Sequence, residues 1–381
     1  MKNVKMKVIA VACLSLFIAA HGVATLWISK KLTNNIGHSE YPTIAVNGSD
    51  IYAFWFDGTP GNYEIFFRKS ADSGSNWQAS KRLTYTSGSS WYPAIAVNGA
   101  KIYVAWQDDT PGNDEIYFKR TLDGGATWQD NQRLTNTSGN SEEPAIAVNG
   151  ANVYVVWHDD TSGTRDIFFR KSADGGATWQ TAIPLRNNTE WSADPAIAVN
   201  GATVYVVWDE TISAGQGEIF FRRSTDGGAT WQSVKRLTNT TGGSWCPDIA
   251  LSSTSVYLVW YDFTPGNAEI YFRKSADGGA TWQTAQRLTN TAGDSYFPAI
   301  TVNGSDIYLS WTDYYSWANS EIYFKSSANG GAGWQSTQRL TYTSGDSDVP
   351  DVAVNDTTIF VIYADYTPGN GEIFLKHHPI L

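Results

Sequence analysis

Acidic residues recur in this sequence at two positions with a spacing of 51 or 52 residues. Carboxylates are suited to acid–base work or to holding a cation. Because every copy has both acids, we interpret them as turn-capping residues that pair with lysine or arginine on a neighbouring strand. The first set ends a Trp-x-Asp pattern, with Glu in the fourth copy and Tyr for Trp in the last, and comprises Asp57, Asp108, Asp159, Glu210, Asp262, Asp313 and Asp365. The second set comprises Glu64, Glu115, Asp166, Glu218, Glu269, Glu321 and Glu372.

A calcium site is the alternative interpretation of these acids. The segment 108–114 reads Asp-Asp-Thr-Pro-Gly-Asn-Asp and offers the oxygen ligands that a hard cation prefers. Its spacing is not that of a known calcium loop, and the five histidines show no zinc-binding pattern. No acid stands out from its copies, and Cys246 has no histidine neighbour in the sequence. We therefore predict no catalytic residue, no metal ligand and no cofactor, with Ca²⁺ as the alternative cofactor.

Two arginines, Arg165 and Arg186, fall outside the positions at which the other arginines recur. Both are expected near the rim of the molecule beside Trp191, where they would form a notch for a carboxylate or sulfate group. The competing interpretation is an ordinary surface pairing with Asp159, Asp160 or Glu190.

Four tryptophans also break the pattern. Of the 17 tryptophans, six lie in a turn motif described below, six end a predicted strand, and Trp27 lies in the first strand. The remaining four are predicted on connections at one face, where aromatic rings would stack on sugars or contact a protein, or would simply pack together. We predict a ligand-binding surface there that consists of Trp91, Tyr92, Arg165, Arg186, Trp191, Trp245, Tyr296, Phe297 and Trp317.

The elements that position these residues are repeated units. A proline after a Ser-x-x triplet recurs at positions 42, 93, 144, 195, 247, 298 and 350, and four short segments with alternating apolar residues follow each one. Four strands at this period predict an all-β fold, a seven-bladed β-propeller of four-stranded antiparallel blades. The seventh unit stops after its third strand, and residues 25–33 match the fourth strand of the other units. The N-terminal strand is therefore expected to complete the last blade.

A Ser-x-Asp-x-Gly-x-Thr-Trp motif stands between the third and fourth strands, as in 172–179, 224–231 and 275–282, with three variant copies. It resembles the Asp-box of the BNR-repeat, sialidase-like propellers, and the resemblance covers the whole mature chain. The resemblance implies that the motif lies on the face away from the ligand site. The residues that we assign to folding the turn are Asp72, Asp123, Asp174, Asp226, Asp277 and Asn329.

Sialidases of this family hold the substrate carboxylate with three arginines, one of them from a Phe/Tyr-Arg-Ile-Pro segment. This sequence has no such segment. Only two of its arginines fall outside the recurring positions, which is too few for a three-arginine carboxylate site. The resemblance therefore predicts the fold better than the activity. We predict a non-catalytic module that binds a glycan or another extracellular partner. The alternatives are a divergent exo-α-sialidase-like glycoside hydrolase and a structural or adhesive module at the cell surface.

The first 24 residues have the layout of an export signal, with lysines before an apolar run and small residues at its end. Cys13 is interpreted as part of that signal and not as a lipid-modified residue. The propeller is expected to occupy 25–381 as a single domain, secreted or at the cell surface, with no membrane span after the signal is removed. The net charge of −10 argues against a nucleic-acid partner.

Overall fold

Four-stranded antiparallel sheets repeat seven times in the computed structural model, which describes residues 26–213, 215–316 and 319–380. Each sheet is one blade, and in six of the seven its strands run in chain order from the centre of the molecule to its edge. The predicted seven-bladed propeller is confirmed. Within the same ranges, no helix has the length and apolarity needed to cross a bilayer. The predicted signal 1–24 with Cys13, and also Trp317, lie outside the described residues.

The first three blades begin at the N-terminal side of the ring. Blade 1 contains β2 (Ser39–Asn47), β3 (Asp50–Asp57), β4 (Glu64–Ser70) and β5 (Lys81–Arg82), following β1 (Ile28–Lys31) in the chain. Blade 2 contains β6 (Ser90–Asn98), β7 (Lys101–Asp108), β8 (Glu115–Thr121) and β9 (Gln132–Arg133). Blade 3 contains β10 (Ser141–Asn149), β11 (Asn152–Asp159), β12 (Asp166–Ser172) and β13 (Ile183–Pro184).

The remaining blades follow the same order. Blade 4 contains β14 (Trp191–Asn200), β15 (Thr203–Ser213), β16 (Gln216–Ser224) and β17 (Lys235–Arg236). Blade 5 contains β18 (Ser244–Ser252), β19 (Ser255–Asp262), β20 (Glu269–Ser275) and β21 (Gln286–Arg287). Blade 6 contains β22 (Asp294–Asn303), β23 (Asp306–Ser316), β24 (Asn319–Ser327) and β25 (Gln338–Arg339). Blade 7 contains β26 (Ser347–Val354), β27 (Thr358–Asp365) and β28 (Glu372–Pro379).

The N-terminal strand closes the ring as predicted, because β1 pairs antiparallel with β28 and becomes the outer strand of blade 7. Leu32 is buried in the core between blades 7 and 1. Trp27 packs edge-on against Phe324 of blade 6, with ring centroids 5.0 Å apart. This contact repeats that of the Asp-box tryptophans, such as Trp179 against Phe118 at 4.9 Å. The first strand thus supplies both hydrogen bonds and an inter-blade wedge.

The hydrophobic core lies between neighbouring blades, where the second strands are buried on both sides. In an antiparallel sheet, alternate residues point to opposite faces, and here both faces meet another blade. Six tryptophans that end these strands are at most 1% exposed: Trp55, Trp106, Trp157, Trp208, Trp260 and Trp311.

The Asp-box turns lie beside the hairpins that join the first and second strands, since Gly175 N–H bonds to Ala151 O at 2.7 Å. Asp174 accepts the Ser172 hydroxyl at 2.7 Å and both the N–H and hydroxyl of Thr178. Bonds of this kind, led by that from the Thr178 hydroxyl, hold the pKa of Asp174 below its usual range. Gly176 has a φ of 83°, and a Cβ there would meet the Phe118 ring. The motif is therefore a folded turn on the face opposite the aromatic connections.

Candidate functional site

Each inner strand is interrupted by a β-bulge immediately before its repeated proline. The residue at the bulge has a left-handed backbone, with φ between 46° and 51° in every blade. Such a conformation costs a residue with a side chain roughly 1–2 kcal/mol, and glycine is its usual occupant. None of the seven is glycine. These residues, which we call the mouth ring, are Tyr41, Tyr92, Glu143, Asp194, Cys246, Phe297 and Val349.

The mouth ring surrounds a cavity of about 410 Å³ on the axis of the propeller, on the face opposite the Asp-box turns. Its composition is polarised. Glu143, Asp194 and Cys246 are contiguous across blades 3 to 5, whereas the other four positions are aromatic or apolar. The blades differ strongly at this ring, so the two sides of the axis have different chemistry.

A second variable position supports the ring from the neighbouring blade. It is the residue before the acid that ends each second strand. Gln107 accepts the N–H of Glu143 at 3.0 Å, Asp209 accepts the N–H of Cys246 at 3.0 Å, and the Thr312 hydroxyl accepts the N–H of Val349 at 3.2 Å. We call these residues the supporting set: Phe56, Gln107, His158, Asp209, Tyr261, Thr312 and Ala364.

Three ionisable groups meet where the two sets overlap. The Cys246 thiol donates to Asp194 at 3.2 Å, and ligand atoms of Asp194, Asp209 and Cys246 all lie within 4.8 Å of one another. Asp209 is 1% exposed. Burial, followed by the nearby charge of Asp194, raises the pKa of Asp209 well above its usual range, and the same two causes raise the pKa of the Cys246 thiol. The uncharged forms of Asp209 and of the Cys246 thiol are therefore favoured.

Glu143 connects this group to blade 3. Burial and the charge of Asp194 raise its pKa well above the usual range. His158, buried at 1% exposure, places Nε2 3.0 Å from Glu142 and Nδ1 3.4 Å from Glu143. Arg165 contacts Glu142 at 3.2 Å and stacks over Trp191 at 5.5 Å. The acidic side of the mouth is thus flanked by one imidazole and one guanidinium.

A second cavity of about 400 Å³ adjoins the first, and Tyr41 and Tyr92 line both. Trp91 and Tyr63 supply further aromatic walls, while Asp114 is one of its carboxylates. Burial raises the pKa of Asp114 to about 6, and Glu142 adds to the shift. The aromatic side of the mouth therefore continues outward as a groove with acidic edges.

Several of the predicted ligand-binding aromatics lie in this region, although they are strand residues and not loop residues. Tyr92 and Phe297 belong to the mouth ring, and Trp91 lies beside them at the start of β6. Tyr296 packs edge-on against Tyr261 at 5.0 Å. The loop placement was wrong because the first strands begin several residues before the prolines.

The other two described tryptophans are placed differently. Trp245 lies over Gly217, where a Cβ would come within 2.7 Å of its ring, so this tryptophan is packed against backbone. Trp191 is 51% exposed at the start of β14. Arg165 shields one face of Trp191, which leaves the rest of the ring accessible.

Arg186 does not line either cavity. Its guanidinium forms two bonds of 2.5 Å with buried Glu210. In five other blades an arginine of the outer strand binds the glutamate of the third strand, as Arg82 binds Glu64 at 2.6 Å. Blade 3 has Pro184 in place of that arginine. Its Arg186 instead forms an ion pair with Glu210 of blade 4. Both unusual arginines are paired, as the competing interpretation expected, but with Glu142 and Glu210 and not with Asp159, Asp160 or Glu190.

The two recurring carboxylate sets serve turns and strand pairs, as predicted. Asp57 accepts the Ser39 hydroxyl at 2.7 Å and the Thr59 N–H at 2.8 Å. The carboxylates of the proposed calcium segment are likewise bonded separately, Asp108 to Ser90 and Thr110 N–H, and Asp109 to Ser89 N–H. Within the described residues, the ligand atoms close enough to share an ion are those of Asp194, Asp209 and Cys246. Sequence reasoning missed this group, because it compared carboxylates with their copies and left Cys246 aside.

Comparison with known proteins agrees with this architecture. A family model described as a BNR repeat-like domain matches residues 50–258. A comparison with curated protein sequences finds no match. Among solved structures, a Hadza microbial sialidase is 13% identical, with 88% of this chain and 74% of that one covered and a TM-score of 0.57.

Two further solved structures are similar to the chain over most of its length. A protein of unknown function from Dyadobacter fermentans is 13% identical, with coverage of 93% and 99% and a TM-score of 0.59. An ulvan lyase of polysaccharide lyase family PL25 is 11% identical, with coverage of 90% and 94% and a TM-score of 0.60. At these identities the likeness concerns the fold alone, which hosts more than one activity.

Proposed function

Because the chain belongs to the BNR repeat-like family, whose fold does not fix an activity, we propose its function from the mouth itself: it binds a neutral saccharide without turning it over. The observation that carries the proposal is the pair of adjoining cavities that share Tyr41 and Tyr92 and have carboxylates at their edges. Together they offer a continuous groove for more than one sugar ring.

The chemistry of the groove suits a polyhydroxylated ligand. The C–H face of a sugar ring packs on aromatic side chains, and Tyr92, Trp91 and Tyr63 line the groove. Sugar hydroxyls are hydrogen-bond donors, and Glu40, Asp114 and Glu142 supply acceptors of the strong, charged kind. Small-molecule sites are usually lined by apolar side chains with a small number of polar groups, as this groove is.

The charge of the groove disfavours an anionic sugar. Among the described residues that line the two cavities there is no lysine or arginine. Arg165, the nearest cation, is already paired with Glu142. A sialic acid or a sulfated sugar would place its negative charge beside Asp194 and Glu143 with no guanidinium to receive it.

Export is part of the proposal and is supported by the signal-like composition of residues 1–24. A secreted or surface location would bring the groove into contact with extracellular glycans. The same location suits the structural or adhesive alternative, which needs no groove.

A glycan array probed with the purified mature protein tests the proposal, with turnover of a fluorogenic sialoside measured on the same sample. We expect retention on neutral glycans, loss of retention in Trp91→Ala and Tyr92→Ala, and no sialoside turnover. Tyr85→Ala is the matched control, because Tyr85 is 73% exposed and stacks on Arg82 away from both cavities. Its binding should equal that of the wild type.

Three outcomes would contradict the proposal. A folded wild-type protein that retains no glycan would favour the structural or adhesive module. Sialoside turnover would favour the glycoside hydrolase. Retention that is unchanged in Trp91→Ala and Tyr92→Ala would place the binding surface elsewhere on the propeller.

A further inference from the structure

The convergence of Asp194, Asp209 and Cys246 is specific to one place in a sevenfold structure. The mouth ring carries aromatic or apolar residues in four blades, and the supporting set carries a carboxylate only in blade 4. Two carboxylates and a thiol therefore meet between blades 4 and 5 because Asp194, Asp209 and Cys246 each differ from the residues at the same position in most other blades. A turn or strand pair that all blades share does not account for them.

A second observation at the same place is a buried imidazole, hydrogen-bonded to Glu142 through Nε2, whose other ring nitrogen makes no hydrogen bond. His158 is 1% exposed, and its Nδ1 makes no hydrogen bond to any described residue. That atom faces Oε2 of Glu143 at 3.4 Å, and this oxygen is also buried without a hydrogen bond. Glu143 in turn lies against Asp194. The imidazole thus faces the acidic group through its contact with the Glu143 carboxylate.

We propose that Asp194, Asp209 and Cys246 bind a divalent metal ion of the zinc class, with Glu143 as the adjacent fourth group and His158 orienting Glu143. The site would lie on the acidic side of the mouth, opposite the aromatic groove. The inference is independent of saccharide binding, since Trp91 and Tyr92 take no part in it.

The ligand types select this class of metal. A thiolate is a soft ligand that zinc accepts together with carboxylate oxygens, whereas Ca²⁺ and Mg²⁺ prefer oxygen alone. Bonds of about 2.0–2.3 Å in a tetrahedron place ligand atoms roughly 3.5 Å apart. The Cys246 Sγ to Asp194 Oδ2 distance is 3.2 Å, and all three ligand atoms are within 4.8 Å of one another.

Metal binding would also relieve the electrostatic cost of the group. The carboxylates and the thiol crowd one another within 4.8 Å at a partly buried place. A divalent cation would offset this mutual repulsion. The thiol proton would pass to the buffer as the Zn²⁺–thiolate bond forms.

Calorimetric titration of the chelator-treated mature protein with Zn²⁺ tests the proposal, together with absorption spectra of the Co²⁺ form. We expect one saturable site for each chain, proton release on binding, and a thiolate-to-Co²⁺ charge-transfer band. Cys246→Ser should abolish the band. Asp209→Asn should weaken Zn²⁺ binding by more than about 100-fold, the upper end of the cost of losing an outer-shell partner.

Asp348→Asn is the matched control, an acid on the same face whose carboxylate accepts the Thr312 and Tyr314 hydroxyls. It should bind Zn²⁺ as the wild type does. The Co²⁺ spectrum of the wild-type protein tests the proposal by itself, so the test remains valid even if a variant fails to fold. Absence of saturable binding, or of the thiolate band in the wild type, would overturn the proposal.

Discussion

Replacing Leu32 with alanine tests whether the N-terminal strand closes the propeller in solution. Leu32 is 1% exposed between blades 7 and 1, and its N–H bonds to Ile373 O at 2.7 Å. Truncation of a buried leucine removes its transfer free energy and leaves a cavity, at a cost of about 2–5 kcal/mol. In a chain of this size each kcal/mol lowers Tm by about 2 °C. We therefore expect a fall of about 4–10 °C in a thermal scan followed by circular dichroism.

Leu134 is the matched control, because it occupies the equivalent position in blade 2 and its strand is continuous with the rest of that blade. It is 5% exposed, and its N–H bonds to Ile116 O at 2.7 Å. Leu134→Ala should lower Tm by a similar amount at the same scan rate. A Leu32→Ala variant that melts with the wild type, beside a destabilised Leu134→Ala, would refute closure by β1.

Three further predictions follow from individual contacts. Arg186→Ala should lower the free energy of unfolding by about 3–5 kcal/mol in urea titrations, because it leaves the buried Glu210 charge unpaired; unchanged stability with weaker glycan binding would instead make Arg186 a ligand residue. Gly217→Ala should cost about 1–3 kcal/mol and alter the near-ultraviolet circular dichroism, since its methyl group would meet the Trp245 ring, and an unchanged spectrum would show that this ring is not held there. Burial raises the pKa of Asp114 to about 6, so its ionisation increasingly opposes folding from about pH 4 to 6. Asp114→Asn should therefore match the wild type at pH 4 and exceed its stability by about 1 kcal/mol at pH 7, after allowance for solvent screening; equal stability at both pH values would contradict this.

The fold was predictable because its determinants are local and repeated. The proline spacing, the alternating strands and the Asp-box turn each agree with one blade geometry, and residues 25–33 visibly match a missing fourth strand. The role of Trp27 as an inter-blade wedge was not predictable. Its indole replaces an Asp-box tryptophan in space, packing on Phe324, but the register of β1 places it one residue away from that motif position.

The site was only partly predictable, because it depends on backbone geometry that local rules disfavour. The residue before a proline normally adopts an extended conformation. Here the bulge imposes a left-handed one, which turns Tyr92, Glu143 and Cys246 to the axis. A signal was present in the sequence: alignment of the seven units shows a different residue type at this position in almost every blade. Counting tryptophans detected the aromatic side of the mouth and missed the acidic side.

The absence of glycine from the mouth ring is itself an argument about function. A left-handed backbone favours glycine, and a β-branched residue such as Val349 is strained there. Loss of the side chain would relieve this strain in any blade, yet every blade keeps one. If the side chains only sealed the axis, apolar residues would serve in all seven positions. Glu143 and Asp194 instead place carboxylates beside one another, and burial together with the charge of Asp194 raises the pKa of Glu143. The strain recurs in every blade, whereas the crowded carboxylates occur on one side of the axis only, and from this asymmetry we infer a binding site at the mouth.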